Sequence, residues 1–362
     1  MKINKSQLLK SSKREIEQLL EKNGSLFISD ADENSLSVQH VVLTDSSVTA
    51  LEYSPEEQFE QIMPNVWYRE YTMPKVKNSC YWLFKNCQDY PDEDIYEDER
   101  FALYYPDPYS KNIFNFRDEN GDIYFKQNFF YSLPKLIDKY TLQSEKLSLF
   151  SKALRQDRDF ILEYPLNFDK NKTYKILLIT DGDCWKYSIN LGQTLTKLAI
   201  EQGLDQYIIC YINHKNRSEE LFLNKKFAKF ISVELTELIS KKLGIPFNKD
   251  NFVFSGQSYG GLMALTIAMY FPERIGTIIS QSASLGYDKK DTAVKYFASH
   301  KPKTKLYYSF GNNEIPFIKD KGILFKDFLK DSADCAFNIF SGGHNYISWQ
   351  DDLIYALQNF VK

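Results

Sequence analysis

Residues 254–265, FSGQSYGGLMAL, set one serine between glycines and pass at once into an apolar run. Upstream, Asn251 to Ser255 reads as a short strand; downstream, Leu262 to Tyr270 reads as a buried helix. Gly256, Gly260 and Gly261 lie between them, so the turn runs from strand to helix. A nucleophile elbow needs this arrangement. Its serine takes a strained conformation that lifts the hydroxyl clear, and its neighbours are small so that adjoining elements can approach. The plain alternative is a glycine-rich turn before a helix, and the G-x-S-x-G spacing in this context favours Ser258 as a nucleophile.

Around the elbow, KILLIT (175–180), YIICYI (207–212), FVFS (252–255), TIISQS (277–282) and KLYYSF (305–310) are short apolar runs. Helical stretches near 188–202, 225–243, 262–270 and 320–331 separate most of them. Strands alternating with crossover helices predict an α/β fold with a mostly parallel sheet, covered on both faces, whose ligands bind at the carboxyl ends of the strands. Residues 25 to 145 have another texture. Runs such as SLSVQHVVL, NVWYREYTM and SCYWLFK, divided by polar turns, predict a smaller β-sandwich. The stretch 140–153 reads as a polar connection, which puts the boundary near residue 150: a sandwich with a leading helix over 1–150 and a catalytic domain over 151–362.

A serine hydroxyl needs an adjacent base, and histidine is the usual one. Of four histidines, His40 falls in the sandwich and His300 in a lysine-rich segment, whereas His214 and His344 follow strands of the catalytic half. His344, in FNIFSGGHNYISW, follows the serine in the chain order of an α/β-hydrolase and is the expected base; Gly342 and Gly343 let its loop turn. His214 reads as a pocket or surface residue. The third member belongs after KLYYSF, where GNNEIPFIKD offers Glu314 first and Asp320 second. The oxyanion calls for backbone donors: Tyr259, and Asp183 or Cys184 in ITDGDCW.

The 362 residues are 43% hydrophobic and 15% aromatic, enough for a sizeable core in two domains. A net charge of −3, with both signs interspersed, gives no nucleic-acid surface. The acidic run YPDEDIYEDER, 90–100, reads as a solvated loop without cation-loop spacing, so no metal site is expected. Cys80, Cys87, Cys184, Cys210 and Cys335 lack zinc-site spacing and read as reduced, which favours the cytoplasm. The opening MKINKSQLLKSSKREIEQLL reads as an amphipathic helix rather than a secretory signal or membrane span.

These motifs together resemble the enterochelin esterase family, α/β-hydrolases that open the trilactone of catecholate siderophores inside the cell. GQSYGGLMAL with FPERIGTIISQS resembles the family's elbow, helix and next strand; DGDCW its oxyanion loop; NRSEELFLNKKF its substrate loop; GGHNYISW its histidine loop. NVWYREYTMP, SCYWLF and DPYSKNIFNF resemble its immunoglobulin-like domain. The resemblance implies a serine esterase of a catecholate siderophore, ferric or apo. It implies no cofactor of the enzyme's own, iron arriving with the substrate. Arg217 matches the arginine aimed at the anionic ligand, Glu220 and Asn224 hold its loop, and Trp185 and Tyr287 are further candidate ligand contacts. The chain departs from the family after SQS, where ASLGYDKKD stands in place of adjacent tryptophans. A general carboxylesterase, a feruloyl or thioester hydrolase, and a non-catalytic binding protein are the competing readings; Ser258 and His344 in the right order argue against the last.

Overall fold

The computed structural model describes residues 2–51, 59–85, 104, 106–330 and 332–361. The acidic run 90–100 and Cys87 lie outside these residues. Contacts divide the chain into one unit of Met1–Phe116, Ile123–Pro134 and Ser341–Gly343, and another of Arg117–Asp122, Lys135–Phe340 and His344–Lys362.

Among the described residues the first unit holds two four-stranded sheets. In one, β1 (Leu26–Asp30), β2 (Ser35–Leu43), β4 (Glu60–Met63) and β5 (Val66–Pro74) run in the order β1-β2-β5-β4. In the other, β3 (Val48–Leu51), β6 (Cys80–Lys85), β7 (Ile113–Arg117) and β8 (Ile123–Phe129) run β3-β6-β8-β7. Leu36, Val38 and Val42 of β2 share a core with Val48 of β3 and Tyr81 and Leu83 of β6, so the sheets face each other as a sandwich. Beneath them Asp107 is buried, accepting from the hydroxyls of Ser25 and Tyr81 and lying 3.3 Å from His40 Nε2. Burial alone would raise its carboxyl, but the His40 contact and the other donors hold it below the ordinary value. The single helix expected at the N-terminus is two, Lys5–Leu8 and Lys13–Asn23. The first ends at its C-cap Leu9, and Ser12 starts the second through a reciprocal capping box with Glu15, a signal present in the sequence as S-x-x-E.

The second unit is built on eight strands: β9 (Ser144–Ser151), β10 (Gln156–Glu163), β11 (Lys175–Thr180), β12 (Tyr207–Ile212), β13 (Phe252–Gln257), β14 (Thr277–Gln281), β15 (Lys305–Asn313) and β16 (Cys335–Gly343). Their order is β16-β15-β14-β13-β11-β12-β10-β9. Pairing is parallel through β12, β11, β13, β14 and β15, and antiparallel in β12-β10-β9. This is the α/β-hydrolase sheet foreseen from the alternating runs. Strands β12, β13 and β14 are buried at every position, as a sheet covered on both faces requires.

One boundary differs from expectation. Residues 144–151 are not a connection but an edge strand, and the units divide near Pro134 rather than residue 150. Lying at the sheet edge and paired with β10 alone, β9 alternates half-buried with exposed side chains, so its composition is that of a loop. The helix Tyr259–Tyr270 is the opposite case: eleven of its residues are buried. Leu262, Met263, Leu265 and Ile267 each contribute about 1.5–3 kcal/mol over an exposed position. The order reverses at β11, whose neighbours are β13 and β12, and the crevice beyond the carboxyl ends of these strands is the fold's natural ligand site.

The loop after β12 is anchored from below. Arg158 of β10, 2% exposed, makes a bidentate pair with Glu220 at 2.6 and 2.8 Å and donates to Asn213 O at 2.7 Å. Glu220 also accepts from Lys215 N at 2.9 Å, and Asn224 caps the following helix while donating to Glu219 O at 3.0 Å. Glu220→Ala leaves an ionised arginine buried without its partner. Denaturant unfolding should report a loss of about 3–5 kcal/mol; a loss under about 1 kcal/mol would mean that the pair is exposed to water.

Candidate active site

Ser258 joins the end of β13 to the helix Tyr259–Tyr270 with φ 58° and ψ −119°. Small neighbours are a steric necessity: a Cβ on Gly256 would lie 2.0 Å from Gly260 O, and one on Gly260 would lie 2.5 Å from Thr180 Oγ1. The strained residue is pinned on both sides. Its N–H donates to Gln281 O at 3.0 Å, and its carbonyl accepts from Leu262 N and Ser284 N, both at 3.1 Å.

Three distant loops converge on this hydroxyl. His344 Nε2 lies 3.0 Å from Ser258 Oγ, and its Nδ1 lies 2.7 Å from Glu314 Oε1. A neutral ring with its proton at Nδ1 donates to Glu314, so Nε2 is left to accept from the serine. Glu314 is buried at the end of β15 and also accepts from Ile315 N at 2.9 Å. Asp320, the second acid considered, is exposed on the helix Pro316–Leu329. Trp349 packs edge-to-face on the His344 ring at 4.8 Å and donates its indole N–H to Ser282 Oγ at 2.9 Å. Ser284, which the sequence did not single out, places its Oγ 3.1 Å from Ser258 Oγ.

A hydroxyl, an imidazole and a carboxylate in hydrogen-bonded series beyond a parallel sheet have the geometry that a serine nucleophile with its base and orienting acid requires. Residues 151–360 match the family model described as "Putative esterase". The chain belongs to this family. Among curated relatives, the iron(III) enterobactin esterase of Escherichia coli K12 is 25% identical over 193 residues, 50% of this chain and 48% of the relative. The chain thus spans about half the length of that relative. The uncharacterized protein YjcH of Bacillus subtilis is 22% identical over 241 residues, 61% of this chain and 98% of YjcH. In fold, the chain matches the enterobactin esterase of Shigella flexneri, crystallised in the presence of enterobactin, with a TM-score of 0.73 at 16% identity, covering 95% of this chain and 97% of that one.

Under this site runs a buried chain of amides. Trp185 Nε1 donates to Gln257 Oε1 at 3.1 Å, Gln257 Nε2 to Gln281 Oε1 at 2.9 Å, and Gln281 Nε2 to Asp352 Oδ2 at 2.7 Å. Tyr307, Ser309 and Asn338 also donate to Asp352, at 2.6, 2.6 and 2.8 Å. Burial pushes this carboxyl up, against the pull of its four donors. The chain corrects one expectation: Trp185, 0% exposed, is no ligand contact, because its indole is buried and committed to Gln257, the residue before Ser258.

The oxyanion loop needs a second correction. Asp183 N–H donates to Asn213 Oδ1 at 3.0 Å, so it is not the oxyanion donor in this arrangement. Tyr259 N–H opens the elbow helix, where first-turn amides point out of the helix end. Cys184 remains the candidate donor on the loop, between Asp183 and Trp185.

Arg217, at the start of a short helix after β12, makes a bidentate pair with buried Asp181 through Nε at 2.8 Å and Nη2 at 3.1 Å, and lies 5.5 Å over the Tyr259 ring. His214 Nε2 reaches the same carboxylate at 2.8 Å. Burial would raise Asp181, but the Arg217 charge and the two hydrogen-bonded partners hold it well below the usual carboxylate range. Since its folded pKa is depressed, the contribution of this cluster to stability is present above about pH 4 and is lost on acidification through the folded value. Tyr287 packs edge-to-face on Tyr259 at 5.7 Å and on Phe317 at 4.9 Å. Asp181 was invisible in the sequence because a DG pair reads as a turn. Among the described residues no group of three or more His, Cys, Asp or Glu could hold a metal, no disulfide joins Cys80, Cys184, Cys210 and Cys335, and no helix is long and apolar enough to cross a membrane.

The geometry separates the two acids sharply. Glu314→Gln should lower kcat on any ester by roughly 10²–10⁴-fold, because an amide cannot stabilise the imidazolium, while Asp320→Asn should leave it within about twofold. Steady-state turnover of a p-nitrophenyl ester measures both; the reverse ranking would remove Glu314 from the site.

Proposed function

We propose that this protein is a serine esterase that hydrolyses the lactone esters of a catecholate siderophore, ferric or iron-free, and so releases the iron that arrives with the substrate. The observation that carries the reading is the series Glu314–His344–Ser258, with distances of 2.7 and 3.0 Å. The relatedness to iron(III) enterobactin esterases supports the choice of substrate, and the shared fold is consistent with it. Described cysteines without disulfides suit the reducing cytoplasm, the compartment this reading assigns.

In this mechanism His344 Nε2 takes the Ser258 proton as Oγ attacks the lactone carbonyl. Glu314 holds the ring and stabilises the imidazolium, and the oxyanion is met by the amides of Tyr259 and Cys184. The imidazolium then gives its proton to the leaving alkoxide, and the acyl group stays on Ser258. Water, activated by the same histidine, releases it as the acid. Arg217 binds the anionic catecholate oxygens and Tyr287 offers an aromatic face to the rings; neither takes part in bond making.

Ser258→Ala should abolish hydrolysis of a tris-catecholate lactone, a loss of roughly 10⁴-fold or more, with ligand binding retained. Ser258→Ala/His344→Ala should be little worse, since the two act as a unit. Near-normal turnover by the serine variant would sink the mechanism.

Substrate class is tested separately. Arg217→Ala should raise KM for the catecholate lactone about tenfold or more, leave a neutral p-nitrophenyl ester nearly unchanged, and be only partly repaired in Arg217→Lys. Equal losses on both substrates would favour a general carboxylesterase in which Arg217 only holds its loop.

A further inference from the structure

We infer that Asn213, the first residue beyond β12, is a positioning residue that sets the oxyanion-binding loop. The inference rests on the serine-esterase reading and adds a residue to it.

The loop 181–185 is fastened at each odd position. Asp181 is held by His214 and Arg217, and Asp183 and Trp185 are held by Asn213 and Gln257. The Asn213 contact has two points: its Oδ1 accepts from Asp183 N–H at 3.0 Å, and its Nδ2 donates to Asp183 Oδ1 at 2.7 Å. Both amide atoms are thereby used in the one orientation that satisfies both partners. Trp185 N–H donates to Asp181 O at 3.2 Å. The peptide units 182–183 and 184–185, which lie on either side of the one carrying the Cys184 N–H, are thus each tied through their own N–H, and Asn213 holds the first of them.

Asn213 is itself a rigid strut. Its carbonyl accepts from Arg158 Nη2 at 2.7 Å, and Arg158 is locked to Glu220. Gly182 leaves the loop no slack, since a Cβ there would lie 2.8 Å from Ile212 N. A chain of fixed groups thus runs from β10 through Asn213 to the residue beside the oxyanion donor. Donors serve catalysis only when held where charge develops, and loss of one such donor costs about 10²–10³ in kcat.

The test uses the full-length protein, a neutral p-nitrophenyl ester and a boronic acid that mimics the tetrahedral adduct on serine. Asn213→Ala should lower kcat by about 10–100-fold with KM within about twofold. Boronate affinity should fall in parallel, while the binding of a product-like carboxylate is unchanged. Asn213→Asp sets two carboxylates face to face and should be at least as poor. Asn213→Asp/Asp183→Asn exchanges donor and acceptor across the contact and should recover most of kcat and of boronate affinity. Rescue supports the inference even if Asn213→Ala fails to fold. An Asn213→Ala enzyme with kcat and boronate affinity within about threefold of wild type, or an exchange variant no better than Asn213→Asp, overturns it. If Ser258→Ala keeps its activity as well, the serine-esterase reading fails instead.

Discussion

Everything at this site depends on one peptide unit held where an L-residue does not rest by itself. At φ 58° and ψ −119°, Ser258 carries strain of about 1–3 kcal/mol. The surroundings that hold it are also what make it useful. Strand β13 ends, an almost wholly buried helix begins, and Gln281 and Ser284 hold the peptide from β14 and the loop after it. Relaxing the turn would pull that helix out of its bed in the core. The strain is thus balanced by apolar burial some distance away, and the hydroxyl stays raised toward His344.

Much of this was legible in the chain because the signals were local. The apolar runs of β11 to β15 and the glycines round Ser258 have fixed periods or fixed spacings, and the order serine, acid, histidine follows from the sheet's connectivity. Glu314 could be favoured over Asp320 by its place directly after a strand. What escaped was set by partners far away in sequence. Strand β9 looks like a loop because it is an edge with one neighbour. Trp185 looked like a ligand contact because a tryptophan in a loop after a strand gives no sign that Gln257 will bury it. The sequence leaves the oxyanion donor open between Asp183 and Cys184, and whether the Asp183 N–H is spoken for depends on Asn213, thirty residues on.

The floor of the site is polar where a hydrolase core could have been oily. Gln257, Gln281 and Asp352 run beneath Ser258, each atom matched by a donor or acceptor, so the strand ends are fixed sideways as well as by the sheet ladder. Such a network fixes one arrangement because any slip leaves a buried group unsatisfied, whereas aliphatic side chains could slide and repack. The same logic connects Arg158, Glu220 and Asn213 on the other flank.

If Arg217 binds ligand as proposed, its pairing with Asp181 bears on which anions it takes. The guanidinium already has an anion, tethered to the same fold and present at an effective concentration that free ions in solution seldom match. A chloride, an acetate or a stray phosphate must compete with that resident carboxylate. A ligand gains hold only by offering several oxygens at once, or by adding contacts elsewhere in the crevice. Under the proposed reading Asp181 is thus an internal competitor for the Arg217 guanidinium, one that a ligand with several oxygens displaces more readily than a simple anion does.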